Sequence, residues 1–269
     1  MPLAVCATPI GNLQDVTLRV LDELRDAELV LCEDTRHTAT LLDRHGISAG
    51  GRLRSYHQHN EAARVAEVLP LLESGARVAL VSDAGLPGLN DPGGRLVAAA
   101  LEQAIPVTVL PGPSAVETAL VASGLAGEQY RFVGYLPRRE AERAKLWAEL
   151  GSWPQPVVAF ESPKRLPGSL ASLARVLPDR QVAVCRELTK LHEEIVRGTA
   201  RHVADRFVEP PKGEVTVVLG GSRVSVRADA DGVDAVRELV AAGVPRRRAA
   251  VVVARLTGSS SGDLYDASL

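Results

Sequence analysis

Aromatic side chains make up only 3% of the 269 residues, with two Trp, four Tyr and three Phe. So sparse a set argues against a sheet lined with base-stacking rings, the platform of many single-strand RNA binders. Cysteine is scarcer still. Cys6, Cys32 and Cys185 each fall in a strand-like apolar run and share no short metal-ligand spacing. They are read as buried, inert thiols, and no metal site is expected. No stretch approaches the roughly 18 unbroken apolar residues of a membrane span, and the opening MPLAVCATPIGN has no basic region ahead of its short apolar run. A cytoplasmic chain without a membrane partner is expected. Positive charge is not in excess, since 31 Lys and Arg stand against 33 Asp and Glu, a net charge of −2. Contact with nucleic acid would have to rest on local patches rather than on a global field. The first strand lacks a G-x-G-x-x-G turn as well: Ala7 to Leu13 reads ATPIGNL. That counts against a nicotinamide oxidoreductase and against the commonest methyltransferase fold, whose cofactor turn is glycine-rich at this point.

What is present is a core. Hydrophobic residues reach 46%, and short apolar runs alternate with amphipathic segments, the pattern of a largely parallel sheet with crossover helices. LAVCAT, ELVLCE, RVALVS and VTVL are the strands of the first half, and VTLRVLDELRDA and NEAARVAEVLPLLESG carry helical spacing between them. After a helix opened by Pro113 and Ser114, the runs RFVGYL, PVVAFES, QVAVCRE, EEIVRGT and EVTVVLG lie close together, which predicts a sheet of mixed direction. The expected class is α/β: an N-terminal α/β domain over 1–112, a second α/β domain over 113–221, and a small helical extension over 222–269. In that extension SRVSVRADADG reads as a linker, VDAVRELVAAG and VPRRRAAVVVARLTG as two helices, and SSSGDLYDASL as a polar, frayed tail without a clear third helix. Val251, Val252 and Leu256 are expected to pack on the preceding helix, leaving Arg246, Arg247 and Arg248 free to meet phosphate.

Two loops carry the chemistry. SDAGLPGLNDPG, Ser82 to Gly93, ends a core strand with three glycines, two prolines and two aspartates. Gly85 there allows a conformation closed to other residues, and ligands of open α/β sheets sit beyond the carboxyl ends of the strands. PGPSA, Pro111 to Ala115, sets backbone amides at a helix N-terminus. The two loops are expected at neighbouring strand ends, forming a cleft. CEDTRHT adds Glu33, Asp34 and Arg36 directly after a strand. They are either a helix cap with its ion pair or a carboxylate that orients a hydroxyl at the same sheet edge as Asp83. ESPKRL offers Glu161, Lys164 and Arg165, and RELTKLHEE offers Glu187 and Lys190, a cluster of candidate proton acceptors, phosphate contacts and mutual salt bridges. Arg138 and Arg139 open a basic run that is either a solvated face or an RNA contact. His57 and His59 share one face of an extended segment but have no third ligand nearby, so a polar strand edge is preferred to a metal site.

TPIGNL, CEDTR, SDAGLPGLNDPG, PGPSA, FVGYLPR, ESPKRL, RELTKLHEE and GEVTVVL, in this order and spacing over about residues 3 to 221, resemble the tetrapyrrole methylase superfamily. Within it they are similar to the bacterial branch that methylates a cytidine ribose 2′-hydroxyl in 16S ribosomal RNA of the small subunit. The resemblance implies S-adenosyl-L-methionine held in a cleft between two α/β domains of a homodimer, without a metal. It places Pro9, Asp83, Leu86, Ser114, Ala115 and Phe160 at cofactor-lining positions, and Gly85 of the first loop is expected to bind the cofactor with them. Glu33, Asp34, Glu161, Glu187 and Lys190 stay open as bases, because a sulfonium methyl donor is already activated and alignment alone supplies much of the rate. Methylation of a corrin or porphyrin precursor is the alternative within the superfamily, although the basic segments and the helical tail exceed what a small macrocycle needs. A non-catalytic ribosome-assembly module is the alternative outside it, separated by a cofactor-binding assay.

Overall fold

The computed structural model describes residues 2–88, 91–222, 230–257 and 259–269. Two compact units make up the chain: Met1–Ala148 with Gln155–Gly220, and Glu149–Pro154 with Gly221–Leu269. In the larger unit, strands β1 (Leu3–Cys6), β2 (Leu29–Cys32), β3 (Leu53–Ser55), β4 (Val78–Val81) and β5 (Val107–Leu110) form a sheet in the order β3-β2-β4-β1-β5. Every neighbouring pair is parallel. Successive side chains of a strand point to opposite faces, so both faces need cover. Ala4, Cys6, Val30, Cys32, Ala79 and Val81 pack on one side against Val20 and Leu24 of helix α1 (Leu18–Asp26) and Leu42 of α2 (Thr35–Arg44). Leu3, Val5, Leu31, Val78 and Leu80 pack on the other against Val68 and Leu72 of α3 (Glu61–Glu73) and Leu96 and Ala100 of α4 (Gly94–Glu102). Strands buried on both faces explain why the sequence shows continuous apolar runs instead of alternation.

Helix α5 (Ala115–Ser123) leads into the second sheet, built of β6 (Arg131–Tyr135), β7 (Val157–Glu161), β8 (Gln181–Arg186), β9 (Glu194–Thr199) and β10 (Val215–Leu219), in the order β6-β7-β10-β8-β9. Only β6 and β7 run parallel; the other three pairs are antiparallel, giving the mixed sheet expected. Ala119 and Leu120 of α5 sit on Val158, Ala183, Cys185 and Val218, and Ile10 from the loop after β1 joins the same cluster. Helices α6 (Glu140–Leu150), α7 (Leu166–Val176) and α8 (Ala200–Arg206) complete the set. Buried Trp147 donates its indole N–H to Ser172 Oγ at 3.2 Å, satisfying the polar end of an otherwise apolar contact.

The smaller unit carries α9 (Ala230–Ala241), α10 (Arg246–Thr257) and α11 (Ser261–Ala267). Residues 223–229 of the expected linker, and Gly258, lie outside the described residues. Two expectations fail here. The tail is helical: Ser260 Oγ accepts the Asp263 N–H at 3.3 Å as an N-cap, and Leu264 is fully buried with Val233, Val236, Ala249, Ala250 and Val253. The packed face of α10 is also different, since Val251 and Leu256 are 54% and 76% exposed while Ala249, Ala250 and Val253 are buried. In the run AAVVVARL only Arg255 is polar, too little to fix the phase of the helix from sequence.

Candidate active site

Strand order sets the geometry of the site. Because β1 lies between β4 and β5, the loops 82–93 and 111–115 are not on adjacent strands as expected. The segment after β1 runs between them and joins them. Thr8 and Gly85 exchange both backbone hydrogen bonds, at 2.9 and 3.0 Å, and Ala7 N–H donates to Leu110 carbonyl at 3.2 Å. Gly85 has φ +78, which favours glycine, and a Cβ on Gly112 would stand 2.9 Å from that of Ala7. Both glycines are needed for this three-stranded loop junction.

Beyond it lies a cavity of about 540 Å³, within the usual range for small-molecule sites. Six of the seven residues expected to line a cofactor do line it: Asp83, Gly85 and Leu86 from one loop, Ser114 and Ala115 at the start of α5, and Phe160 at the end of β7. Pro9 does not. It is buried, facing a small pocket with Thr8, His37, Thr38 and Ser82. The far wall is aromatic, an unanticipated feature of so ring-poor a chain. Of its four Tyr and three Phe, Tyr130, Phe132, Tyr135 and Phe160 all line this one cavity. Phe160 meets Phe132 and Tyr135 edge-on, with centroids 5.0 and 5.5 Å apart. At the α5 end, burial works against the charge of Glu117, but hydrogen bonds from Ser114 and from Tyr130 (2.5 Å) outweigh it and hold the carboxyl below its ordinary value.

The carboxylates at the first sheet's edge interlock, because β2 and β4 are neighbours. Asp34 N–H donates to Asp83 Oδ1 at 3.1 Å, and Asp83 N–H reaches Glu33 Oε2 at 3.5 Å. The Asp34 side chain caps α2 by accepting the Arg36 N–H at 2.8 Å, with the exposed Arg36 guanidinium 3.6 Å away. That bond, ahead of the nearby guanidinium, lowers its pKa. Glu33 is pushed up by burial, with the Asp83 N–H pulling against it and the Asp83 carboxylate adding to it. Asp91, to which the sequence reading gave no role, lines the cavity and is pushed up to about 7, first by burial and then by repulsion from Glu33 and Asp83. It is one of the two acids of the loop 82–93, and its unusual setting arises from burial, from Asp83 of the same loop and from Glu33, which is distant in sequence.

The other candidates are engaged. Glu161 is buried and accepts from Arg165 Nη2 at 2.5 Å, Ser169 Oγ at 2.5 Å and Ser162 N–H at 2.6 Å. Arg165 also donates to the Leu136 carbonyl at 3.2 Å, so both partners of ESPKR serve the frame of the cavity wall, whereas Lys164 is exposed. Lys190 bridges Glu187 at 2.9 Å and Glu214 at 2.8 Å. Burial pulls its pKa down, but those two carboxylates outweigh it and hold Lys190 above its ordinary value, the wrong direction for a base. Glu187 is held low by Lys190 and by the Glu214 N–H. Arg138 and Arg139 are exposed, Arg139 3.5 Å from Glu142. In the smaller unit Arg247 and Arg248 are exposed, but Arg246 is not free: it donates to the carbonyl of Ser268 at the end of α11. His57 and His59 contact each other edge-on at 5.9 Å, just after the short strand β3.

A parallel doubly wound sheet joined to a mixed sheet, with a ring-lined cavity at the carboxyl ends of the strands, is the architecture of a methylase. Residues 2–204 match the family described as Tetrapyrrole (Corrin/Porphyrin) Methylases, and the chain belongs to that family. Among curated relatives it is 42% identical over 266 residues to the protein of Mesorhizobium japonicum named "Ribosomal RNA small subunit methyltransferase I", covering 98% of this chain and 90% of that one. A protein of the same name from Thermotoga maritima is 43% identical over 220 residues, 81% of this chain and 98% of that one. Solved structures share the fold. Uroporphyrin-III-C-methyltransferase from Thermus thermophilus superposes with a TM-score of 0.58 at 21% identity, over 81% of this chain and 93% of that one. The methyltransferase CobJ gives 0.61 at 19% identity, over 82% and 94%. Among the described residues no helix is long and apolar enough to cross a membrane.

Proposed function

We propose that this chain transfers a methyl group from S-adenosyl-L-methionine to the ribose 2′-hydroxyl of a cytidine in 16S ribosomal RNA, acting on the small ribosomal subunit in the cytoplasm as a homodimer. The observation that carries the reading is the cavity, whose lining brings together four aromatic rings, several carboxylates and the N-terminus of α5. Those features fit the donor molecule: rings for its adenine, carboxylates such as Glu117 and Asp83 for its ammonium and ribose hydroxyls, and α5 amides for its carboxylate. The relatives' shared name supports ribosomal RNA as the acceptor.

When bound, the donor supplies a sulfonium-activated methyl group. What the protein must add is alignment, exclusion of water and a route for one proton. Gly85 and Gly112 let three loops close tightly on the donor side. The Glu161–Arg165 pair fixes the segment that carries Phe160, Ser162 and Pro163. Arg138, Arg139 and Lys164 of the larger unit, and Arg247 and Arg248 of the smaller, are exposed, which supports a role for them in meeting phosphate. The test is labelled-methyl transfer to small subunits that lack the modification, with a porphyrin precursor as a parallel acceptor. Label in 16S RNA alone is expected, and label in the macrocycle alone would replace the reading with the tetrapyrrole one.

A further inference from the structure

Resting on that reading, we infer that Asp91 is the group that takes the proton from the acceptor hydroxyl. Among the described residues five carboxylates line the cavity: Asp83, Asp91, Glu117, Glu161 and Glu214. Four of them already serve a donor. Asp83 receives the Asp34 N–H, Glu117 the hydroxyls of Ser114 and Tyr130, Glu161 the Arg165 guanidinium and Ser169, and Glu214 the Lys190 ammonium. Each of these donors occupies a carboxylate oxygen that an acceptor hydroxyl would otherwise use. Asp91 is set apart by its surroundings. Burial disfavours its charge first, Glu33 from the loop after β2 and Asp83 from the loop after β4 then repel it, and its own charge adds to burial in pushing up the Tyr135 phenol on β6. A base of this kind is most effective when its pKa lies near the working pH, and about 7 meets that condition.

The loop stem holds Asp91 in position. Pro92 and Gly93 are buried, and the Gly93 N–H donates to Glu61 Oε1 at 3.1 Å. The same carboxylate oxygen accepts the Tyr56 hydroxyl at 3.0 Å, and Arg95 stands 3.6 Å from the other. Gly93 has φ +139, and a Cβ there would come within 2.9 Å of Leu80 Cδ2, so the backbone is pressed against the core two residues beyond Asp91. Tyr135, 61% exposed and lining the same cavity, is a ring on which the acceptor nucleotide can stack.

The step balances without a further reactant. The 2′-oxygen forms its bond to the methyl carbon as the carbon–sulfur bond of the sulfonium donor breaks. That electron pair remains on sulfur as a neutral thioether, and the hydroxyl proton passes to the Asp91 carboxylate and then to water. Single-turnover methylation of unmodified small subunits, at saturating donor between pH 5.5 and 9, tests it. The wild-type rate is expected to rise with pH and level off above about 7, the carboxylate form being the active one. Asp91→Asn should lower the plateau by about 10²- to 10⁴-fold, abolish the acidic limb and leave calorimetric donor affinity within about twofold. Glu33→Gln removes one of the two repelling charges and should move the limb to lower pH. A wild-type rate and limb in Asp91→Asn, or an unmoved limb in Glu33→Gln, overturns the assignment while the methyltransferase reading stands. No methyl transfer by the wild type at any pH removes both.

Discussion

Arg165→Met should unfold the protein more readily than loss of any surface arginine. The Glu161 side chain has no exposed surface, and three donors within 2.6 Å satisfy it, of which only Arg165 is charged. Removing one partner of a buried ion pair costs about 3–5 kcal/mol, because the remaining charge is stranded. Arg165 itself is 26% exposed, and the bonds from Ser169 and Ser162 survive, which favours the lower end, about 3 kcal/mol. The second variant, Glu161→Gln with Arg165→Met, takes the stranded charge away and should recover all but about 1 kcal/mol. Urea unfolding of the wild type, both singles and the double closes the cycle, provided the slope m is constant. A loss under about 1 kcal/mol in Arg165→Met would refute the frame role, and a matching fall in subunit binding would return Arg165 to phosphate contact.

Gly85→Val places a β-branched residue at φ +78, costing about 1–2 kcal/mol; its Cβ is 3.7 Å from the Pro113 carbonyl, so folding should survive while donor affinity by calorimetry falls at least about tenfold. Burial pushes the thiols of Cys6 and Cys185 up to about 12 and about 11, and Cys32 up as well, so a thiol reagent at pH 8 should label all three only as fast as the chain opens. Immediate labelling of any one would contradict its burial. Arg247→Ala with Arg248→Ala should lower the salt slope of subunit binding by about 1–2, whereas Arg246→Ala should leave the slope unchanged and lower the thermal stability of the tail, since it loses the Ser268 contact.

Element identity was largely legible in the sequence, and element placement was not. LAVC, LVLC and VALV read as strands because both faces of each are covered, and VTVL, at the sheet edge with Val109 exposed, does so through its β-branched content; both are local properties of composition. That β1 stands between β4 and β5 depends on pairings some seventy to a hundred residues apart, so the two glycine-rich loops were expected side by side. β3 escaped notice because Leu53–Ser55 is three residues long and has no buried position. α11 escaped because a single buried Leu264 leaves no periodic signal. At the site, glycines and prolines marked the loops correctly, since turn chemistry is local. Charged residues were harder to sort. Glu161 and Arg165 looked like a base and a phosphate ligand, but burial of the carboxylate binds them to each other. Asp91 stood out only as one of two acids in a glycine-rich loop, and burial beside Glu33 and Asp83 in the fold sets it apart.

Nucleotide mapping tests the proposed reaction most directly. Small subunits lacking the modification are incubated with the protein and labelled donor, and their 16S RNA is then digested with alkali. A 2′-O-methyl group blocks cleavage at its own phosphodiester, so label is expected in one alkali-resistant dinucleotide that carries 2′-O-methylcytidine. Label released as a mononucleotide methylated on its base, or no label in RNA while the donor binds, would contradict ribose methylation by this protein.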